Sequence, residues 1–323
     1  MKNEIKMNRI KKLVALLLAF GVVQLLVSVG ILNDYIMATV STIGINIILA
    51  VSLNLITGFT GQFSLGHAGF MSIGAYTCAI ITLRNPTTSG FVAGVFAGAL
   101  MAALVGFVVG LPTLRLRGDY LAIATLGMAE IIRIVFLNLD ITNGAAGLSN
   151  IPEFTNWMWL FIFTSGTVLI VTNFINSSHG RACISIREDE IAADAMGINS
   201  TRYKVTAFVI GAFFAGIAGA LYASRFYFLK PDAFGFLKSI DILVIVVLGG
   251  LGSISGSIIA AILLAIITSY LQSFPEIRMV IYSVTLIVIM LFRPQGLMGP
   301  EELSKSLFKK WGRLLNRKDG GVA

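Results

Sequence analysis

Long runs without a single formal charge decide what this chain can fold into. Residues 13–32, 91–111 and 157–175 each carry none. An α-helix needs about 20 apolar residues to cross the ~30 Å hydrocarbon core of a bilayer. Inside that core the backbone has to satisfy its own hydrogen bonds, which leaves helices or closed barrels. A barrel strand would alternate polar and apolar residues over about ten positions, and these runs do not alternate. The expected fold is therefore an all-α polytopic membrane protein. Charged residues make up 12% of the chain, about half the share of an ordinary soluble domain. Its 33 glycines suit helices that approach closely in lipid.

The runs and their flanking bases set an expected topology. A tail at 1–12 holds Lys2, Lys6, Arg9, Lys11 and Lys12. The run behind it is long for a signal-peptide core and reads as a first span. Further spans are expected at 39–56, 91–111, 120–137, 157–175, 205–225, 258–273 and 279–292. The apolar run at 240–248 is short for a full crossing. With a broken element after the second span, this makes about ten transmembrane or partly broken helices. The membrane domain is 13–292, with loop 176–204 and the basic tail 293–323 on the cytoplasmic side. Residues 303–315 are patterned as a surface amphipathic helix. Only Arg84, Arg225, Lys230, Lys238 and Arg278 fall outside, and Arg133 lies within a span, so both termini are expected in the cytoplasm. Loop 138–156 then faces outward. The net charge of +8 reflects this topology and not a nucleic-acid-binding face.

Two segments are dense in glycine. The first, 57–76, carries polar Gln62, Ser64, His67 and Ser72 but no formal charge. Glycine weakens a helix, and irregular backbone at membrane depth survives only where protein or a water-filled cavity covers it. One reading is a discontinuous element lining a translocation path, with Gly58, Gly61, Gln62, Ser64, Gly66 and His67 along it. The other is a close helix contact with His67 buried in the core. The second segment, 249–256, has no Lys-Ser or Lys-Thr at phosphate-loop spacing, so it does not bind ATP by that device. Paired interruptions in opposite halves of a chain can mark an inverted repeat with a site between them. Glu130 and Arg133 share a helix face. They form either a polar lining of the path or an ion pair near one membrane face. The spacings Gly94/Gly98, Gly106/Gly110, Ala212/Gly216 and Ala215/Gly219 are those of tight packing.

A polar segment interrupts this apolar chain after residue 178. Residues 188–199 plot as one short amphipathic helix. Ile191, Ala195 and Ile198 fall on one face with Ala192 and Met196 beside them, and Asp189, Glu190 and Asp194 lie opposite. Gly197 stops it. It is expected to lie at the membrane surface and to present its acidic, small-residue side, with Ala193 and Gly197, to a soluble partner. A solvated connection is the plain alternative.

Glu190-Ile-Ala-Ala-Asp194-Ala-Met-Gly197 resembles the coupling-loop motif of ABC importer permeases. Residues 180–223 resemble one branch closely, the permeases of branched-chain amino acid importers, and look most like the longer of its two paralogues. Segments 58–74, 187–199, 212–223, 248–256 and Arg293-Pro-Gln-Gly-Leu297 extend the resemblance over about 43–299. It departs from the broader importer pattern in placing Asp194 in mid-helix. The resemblance implies a subunit of the bacterial inner membrane that performs no bond chemistry. Its implied partners are a second, paralogous permease, two ABC ATPase subunits and an extracytoplasmic substrate-binding protein. Arg187, Glu188, Asp189, Glu190, Ala192, Ala193, Asp194 and Gly197 would form the ATPase-coupling helix. The implied cargo is leucine, isoleucine and valine, with urea or short amides as the alternative. A stand-alone secondary transporter would need ion-coupling residues, for which Glu130 with Arg133 is thin support. An intramembrane enzyme would need a constellation that two His and two Cys do not form. No catalytic residue, metal or cofactor is expected.

Overall fold

The computed structural model describes residues 33–270 continuously, with isolated positions beyond them that include Gly296 and Leu297. The expected span at 13–32, apart from Gln24, and the tail segment 303–315 lie outside the described residues, and so does most of 279–292. Within them the chain is an all-α, multi-pass membrane protein. Five helices are long and apolar enough to cross a bilayer.

The first crossing is α1, Asp34–Asn54, which runs on as a π-helical turn, Leu55–Phe59. Helix α2 is His67–Arg84 and α3 is Thr88–Thr113. Then follow α4, Asp119–Asn138, and α5, Trp157–Ile175. Two short helices, α6 (Ser178–Glu188) and α7 (Glu190–Ala195), lead into α8, Ser200–Phe226. A 3-10 turn, Pro231–Phe234, precedes α9, Phe236–Gly249, and α10 is Ile254–Tyr270.

The centre of the bundle is glued backbone to backbone. A Cβ on Gly216 of α8 would lie 2.8 Å from Ala102 Cβ and 2.9 Å from Ala99 Cα of α3. One on Gly98 of α3 would lie 2.8 Å from the Gly74 carbonyl oxygen of α2. Carbon atoms pack at about 3.5–4.0 Å, so these contacts exist only because the side chains are absent. The expected small-residue spacings do pack: Gly94 meets Cys78, Gly106 meets Ala212 and Gly110 meets Phe208. The outward faces of α3 and α5 are apolar, with Leu100, Leu104 and Val108 on one and Met158, Leu169 and Ile170 on the other.

Both expected interruptions are present, and both are sharper than the sequence pattern suggested. After the π turn the chain runs without regular structure to Gly66, and α2 starts at His67. Helix α9 has 14 residues, or about 21 Å at 1.5 Å per residue, too short to cross alone. Gly235, at the end of the loop that precedes it, lies beside Glu130 and Arg133 of α4. Gly250 (φ +107°) and Gly252 (φ +81°) then turn the chain sharply into α10.

The expected single helix at 188–199 is a correction. It is two helices, broken at Asp189, which sits in extended backbone. The Asp189 carboxylate accepts from the Ile191 and Ala192 amides at 2.9 and 3.1 Å. An Asp that caps a new helix competes with continuation of the old one. Gly197, at φ +84°, ends α7 as expected.

Candidate functional site

The two glycine-rich interruptions meet at one end of the bundle, and an asparagine joins them. Asn54, fully buried at the end of α1, accepts from the Gly252 amide at 2.9 Å through Oδ1. Its Nδ2 donates to the Ser253 carbonyl at 2.9 Å and to Ser257 Oγ at 2.8 Å. Gly58 lies against this knot, and a Cβ there would land on Asn54 Oδ1 and the Gly252 amide.

The polar loop enters the same knot. Arg187, on the last turn of α6, donates from Nη1 to the Gly58 carbonyl at 2.8 Å. Its Nε and Nη2 donate to Glu188 Oε1 at 3.1 and 2.5 Å. Gly61 takes φ +74° beneath it, and a Cβ there would sit 3.0 Å from Arg187 Cγ. A carbonyl freed by helix breakage needs a donor, and here the charged loop supplies it. Arg187, Gly58 and Gly61 therefore form one contiguous structure.

The irregular stretch from Gly61 to Gly66 and the first turn of α2 draw on side chains of other helices. The Leu65 amide donates to Thr125 Oγ1 of α4 at 3.0 Å. Gly66 packs so tightly that an added Cβ would lie 2.8 Å from the Thr125 carbonyl oxygen. The Ala68 amide donates to Ser239 Oγ of α9 at 3.3 Å, and His67 Nε2 is 2.8 Å from Ser52 Oγ. Gln62, Ser64 and His67 are all buried. Among the described residues neither amide atom of Gln62 has a hydrogen-bond partner, and nor has His67 Nδ1. A buried polar atom left so costs about 1–3 kcal/mol. These atoms mark the stretch where a group from outside the chain has most to offer.

The small-residue face of α7 is a second correction. Its acids are tied to their own chain, Glu190 half-buried and Asp194 still exposed. Glu190 bonds Lys204 Nζ of α8 at 2.7 Å, with Arg117 Nε at 3.7 Å. Asp194 accepts from the Ser200 amide at 3.2 Å, at the N-terminus of α8 where a negative charge is favoured. Ala193 is buried and so is not part of an exposed small-residue face. What α7 exposes is Ile191, 73% accessible, and Met196, 83%, with Ala192, Asp194, Ala195 and Gly197. Cys183 is buried just beneath, in α6, and that burial pushes its thiol pKa up.

Glu130 follows Ala129, which packs on Gly69 of α2, and so lies about one to two turns along α4 from Thr125. It accepts from Arg133 Nε at 2.7 Å, as their spacing indicated, and Arg133 Nη1 also bonds Asp232 at 2.9 Å. Beyond them Glu153 accepts from Arg225 and from Tyr227 at 2.5 Å, and that hydrogen bond raises the Tyr227 phenol pKa. Sequence reasoning missed Asn54, Asp232 and Lys204. Only Asn54 left a local signal, as an amide at the end of an otherwise apolar span. Among the described residues no cluster of His, Cys, Asp or Glu is arranged to hold a metal ion.

Residues 35–290 match the family described as the permease component of branched-chain amino acid transport systems. The chain is 40% identical over 289 residues to the high-affinity branched-chain amino acid transport system permease protein LivM of Escherichia coli K12, covering 79% of this chain and 68% of that one. The LivM of Salmonella typhimurium is 39% identical with the same coverage. The permease protein LivH of Salmonella typhimurium is 28% identical over 293 residues, 80% of this chain and 92% of that one. No solved structure matches the chain.

Proposed function

The chain belongs to the family of branched-chain amino acid transport system permease components, and from that premise we propose that it forms one half of an ATP-driven import path for leucine, isoleucine and valine in the bacterial cytoplasmic membrane. The other half is a paralogous permease, a pairing supported by its likeness to both LivM and LivH. Two ATPase subunits act on the cytoplasmic side and a binding protein delivers substrate from the other. Both termini and the α6–α7 loop are cytoplasmic, and residues 139–156 face outward.

The observation that carries this reading is the bond from Arg187 to the Gly58 carbonyl. It ties the loop that carries α7 to broken backbone inside the bundle. In the proposed mechanism, Ile191, Ala192, Ala195 and Met196 of α7 seat in a groove of an ATPase subunit, as apolar helix faces do in such grooves. Glu190 and Asp194 hold α7 to α8 and are not themselves the docking surface. Closure of the ATPase pair moves α7, and Arg187 carries that displacement to Gly58, Gly61 and the Asn54 knot. The chain forms and breaks no covalent bond. Gln62 and His67, with polar atoms still unmatched, line the stretch that substrate passes.

The test is reconstitution with the sister permease, the ATPases and the binding protein. Wild type is expected to take up L-leucine only with ATP. Ile191→Asp with Met196→Asp is expected to lose ATPase recruitment in pull-down while the chain still inserts. Full recruitment by that double variant would refute the docking face.

A further inference from the structure

A seam between α4 and the start of α9 carries charged groups beside the apolar side chains that α4 otherwise exposes, Ile123, Ile131, Ile134 and Val135. Helix α4 is one of the apolar crossings. At about 1.5 Å per residue, Glu130 lies about 16 Å from Asp119 and about 12 Å from Asn138, near mid-helix. Yet the side chains of Glu130, Arg133 and Asp232 are 31%, 26% and 76% accessible. One turn into α9, Asp241 is also exposed and Lys238 is half-buried. Charges at this depth are expensive in lipid and turn toward a bundle interior or water. The exposed faces of α3 and α5 carry apolar side chains, as lipid requires.

The arrangement has the polarity of a zwitterion. One guanidinium stands between two carboxylates, with Nε on Glu130 and Nη1 on Asp232. A guanidinium has five N–H groups, and these contacts use two. The N-terminus of α9 opens beside it. A Cβ on Gly235, the residue before α9, would lie 4.0 Å from Glu130 Oε1 and 3.8 Å from Arg133 Cδ. That helix end carries partial positive charge. The apolar side chains of Ile134 and Phe236 are exposed alongside.

Resting on the reading of the chain as an importer permease, we propose that Arg133, Asp232 and Glu130 form a transit site for the charged backbone of an α-amino acid. The carboxylate takes Arg133 and the α9 end, and the ammonium takes Asp232 and Glu130. Each incoming charge replaces a partner of the same sign, so ion pairs are exchanged and none is left bare. A site of that kind binds weakly enough to release its cargo, as conduction demands. Aliphatic side chains of different branching share this backbone, so the site does not discriminate among them.

The test uses the complete reconstituted importer with leucine-loaded binding protein. Arg133→Gln and Asp232→Asn are each expected to lower leucine imported per ATP hydrolysed by tenfold or more, with subunit stoichiometry unchanged. Wild-type import per ATP in Asp232→Asn would overturn the site. That variant also carries the test if Arg133→Gln fails to assemble, because Asp232 is 76% exposed and its loss leaves the Arg133–Glu130 pair. Asp241→Cys is expected to react with the charged thiol reagent MTSET in the assembled complex. Native Cys78 and Cys183 are buried and give little background. Reaction of Asp241→Cys only with membrane-permeant N-ethylmaleimide, or with neither reagent, would show a dry face and refute the proposal. Absence of ATP-driven leucine uptake by the wild type would instead refute the importer reading, so the two failures are distinct.

Discussion

Asn54→Leu isolates the knot between the two interruptions. Leucine keeps the branched shape and the number of side-chain heavy atoms and deletes three hydrogen bonds. The Ser253 carbonyl keeps a partner, since Ser257 donates to it from both Oγ, at 3.0 Å, and its amide, at 3.1 Å. The Gly252 amide loses Asn54 Oδ1, its acceptor. An orphaned buried donor costs about 1–3 kcal/mol, and each bond lost between groups that keep other partners about 0.5–1.5. Added leucine surface returns little, because lipid tails are as apolar as leucine. The sum is about 2–6 kcal/mol, borne by the turn at 249–257. Its low end corresponds to about a 30-fold shift in the opening equilibrium. Hydrogen exchange of the complex in nanodiscs should therefore show residues 249–257 losing about 30-fold or more of their protection. Ser257→Ala, which removes one of these partners, should lose less than tenfold. Unchanged exchange in Asn54→Leu would refute the idea that this amide holds the turn.

Arg187→Lys keeps the charge but replaces a fork of donors with one point, which cannot hold both Gly58 and Glu188. ATP hydrolysis should continue in the assembled complex while leucine import per ATP falls several-fold, and a wild-type ratio would exclude Arg187 from coupling. Gly216→Leu should cost at least 1–3 kcal/mol of packing, read as lost abundance and a lower melting temperature of the purified complex. Its contacts with Ala99 and Ala102 leave no space for a larger group. Burial and its raised pKa should leave Cys183 unmodified by iodoacetamide at pH 8 in the folded protein. Unfolding in detergent should make it react like any free cysteine.

The crossings were legible because their cause is local. A bilayer needs an uninterrupted apolar run, and the runs at 91–111 and 157–175 became α3 and α5 almost to the residue. The breaks were legible as glycine density, and the Gly197 stop as a single residue. The partners of the α7 acids were not legible, for a definite physical reason. A helical plot shows which side the acids take but not what they bind: Glu190 found Lys204 and Arg117, and Asp194, though exposed, found the start of α8. Those partners come from the next helix and from the turn before α4. Asp189 added to the error, because its carboxylate is worth more as a cap than as one more helical residue. Arg133 had a visible local partner in Glu130, but Asp232 lies far along the sequence, so the triad stayed hidden.

The kinds of contact in the bundle divide it into parts with different capacity to move. Helices α2, α3 and α8 touch through glycine and alanine backbone, where a shift of a few tenths of an ångström produces a clash. Close-packed cores of that sort move as a unit or not at all. The end of α1, the irregular stretch to Gly66 and the turn into α10 also meet through glycine, at Gly58, Gly66 and Gly249, but they are tied in addition by side-chain hydrogen bonds. Asn54, Thr125 and Arg187 supply these. Such bonds can exchange partners at a net cost of about 1 kcal/mol each. A displacement entering at α7 therefore passes into the broken segments before it can deform the core. Those segments contain Gln62 and lead into His67, and the Gln62 amide and His67 Nδ1 lack partners among the described residues. On the proposed reading, the rigid trio is the frame of the path and the broken segments are the part that changes state. An alternating path needs this division, since a uniformly packed bundle would resist the ATPase stroke and a uniformly loose one would absorb it.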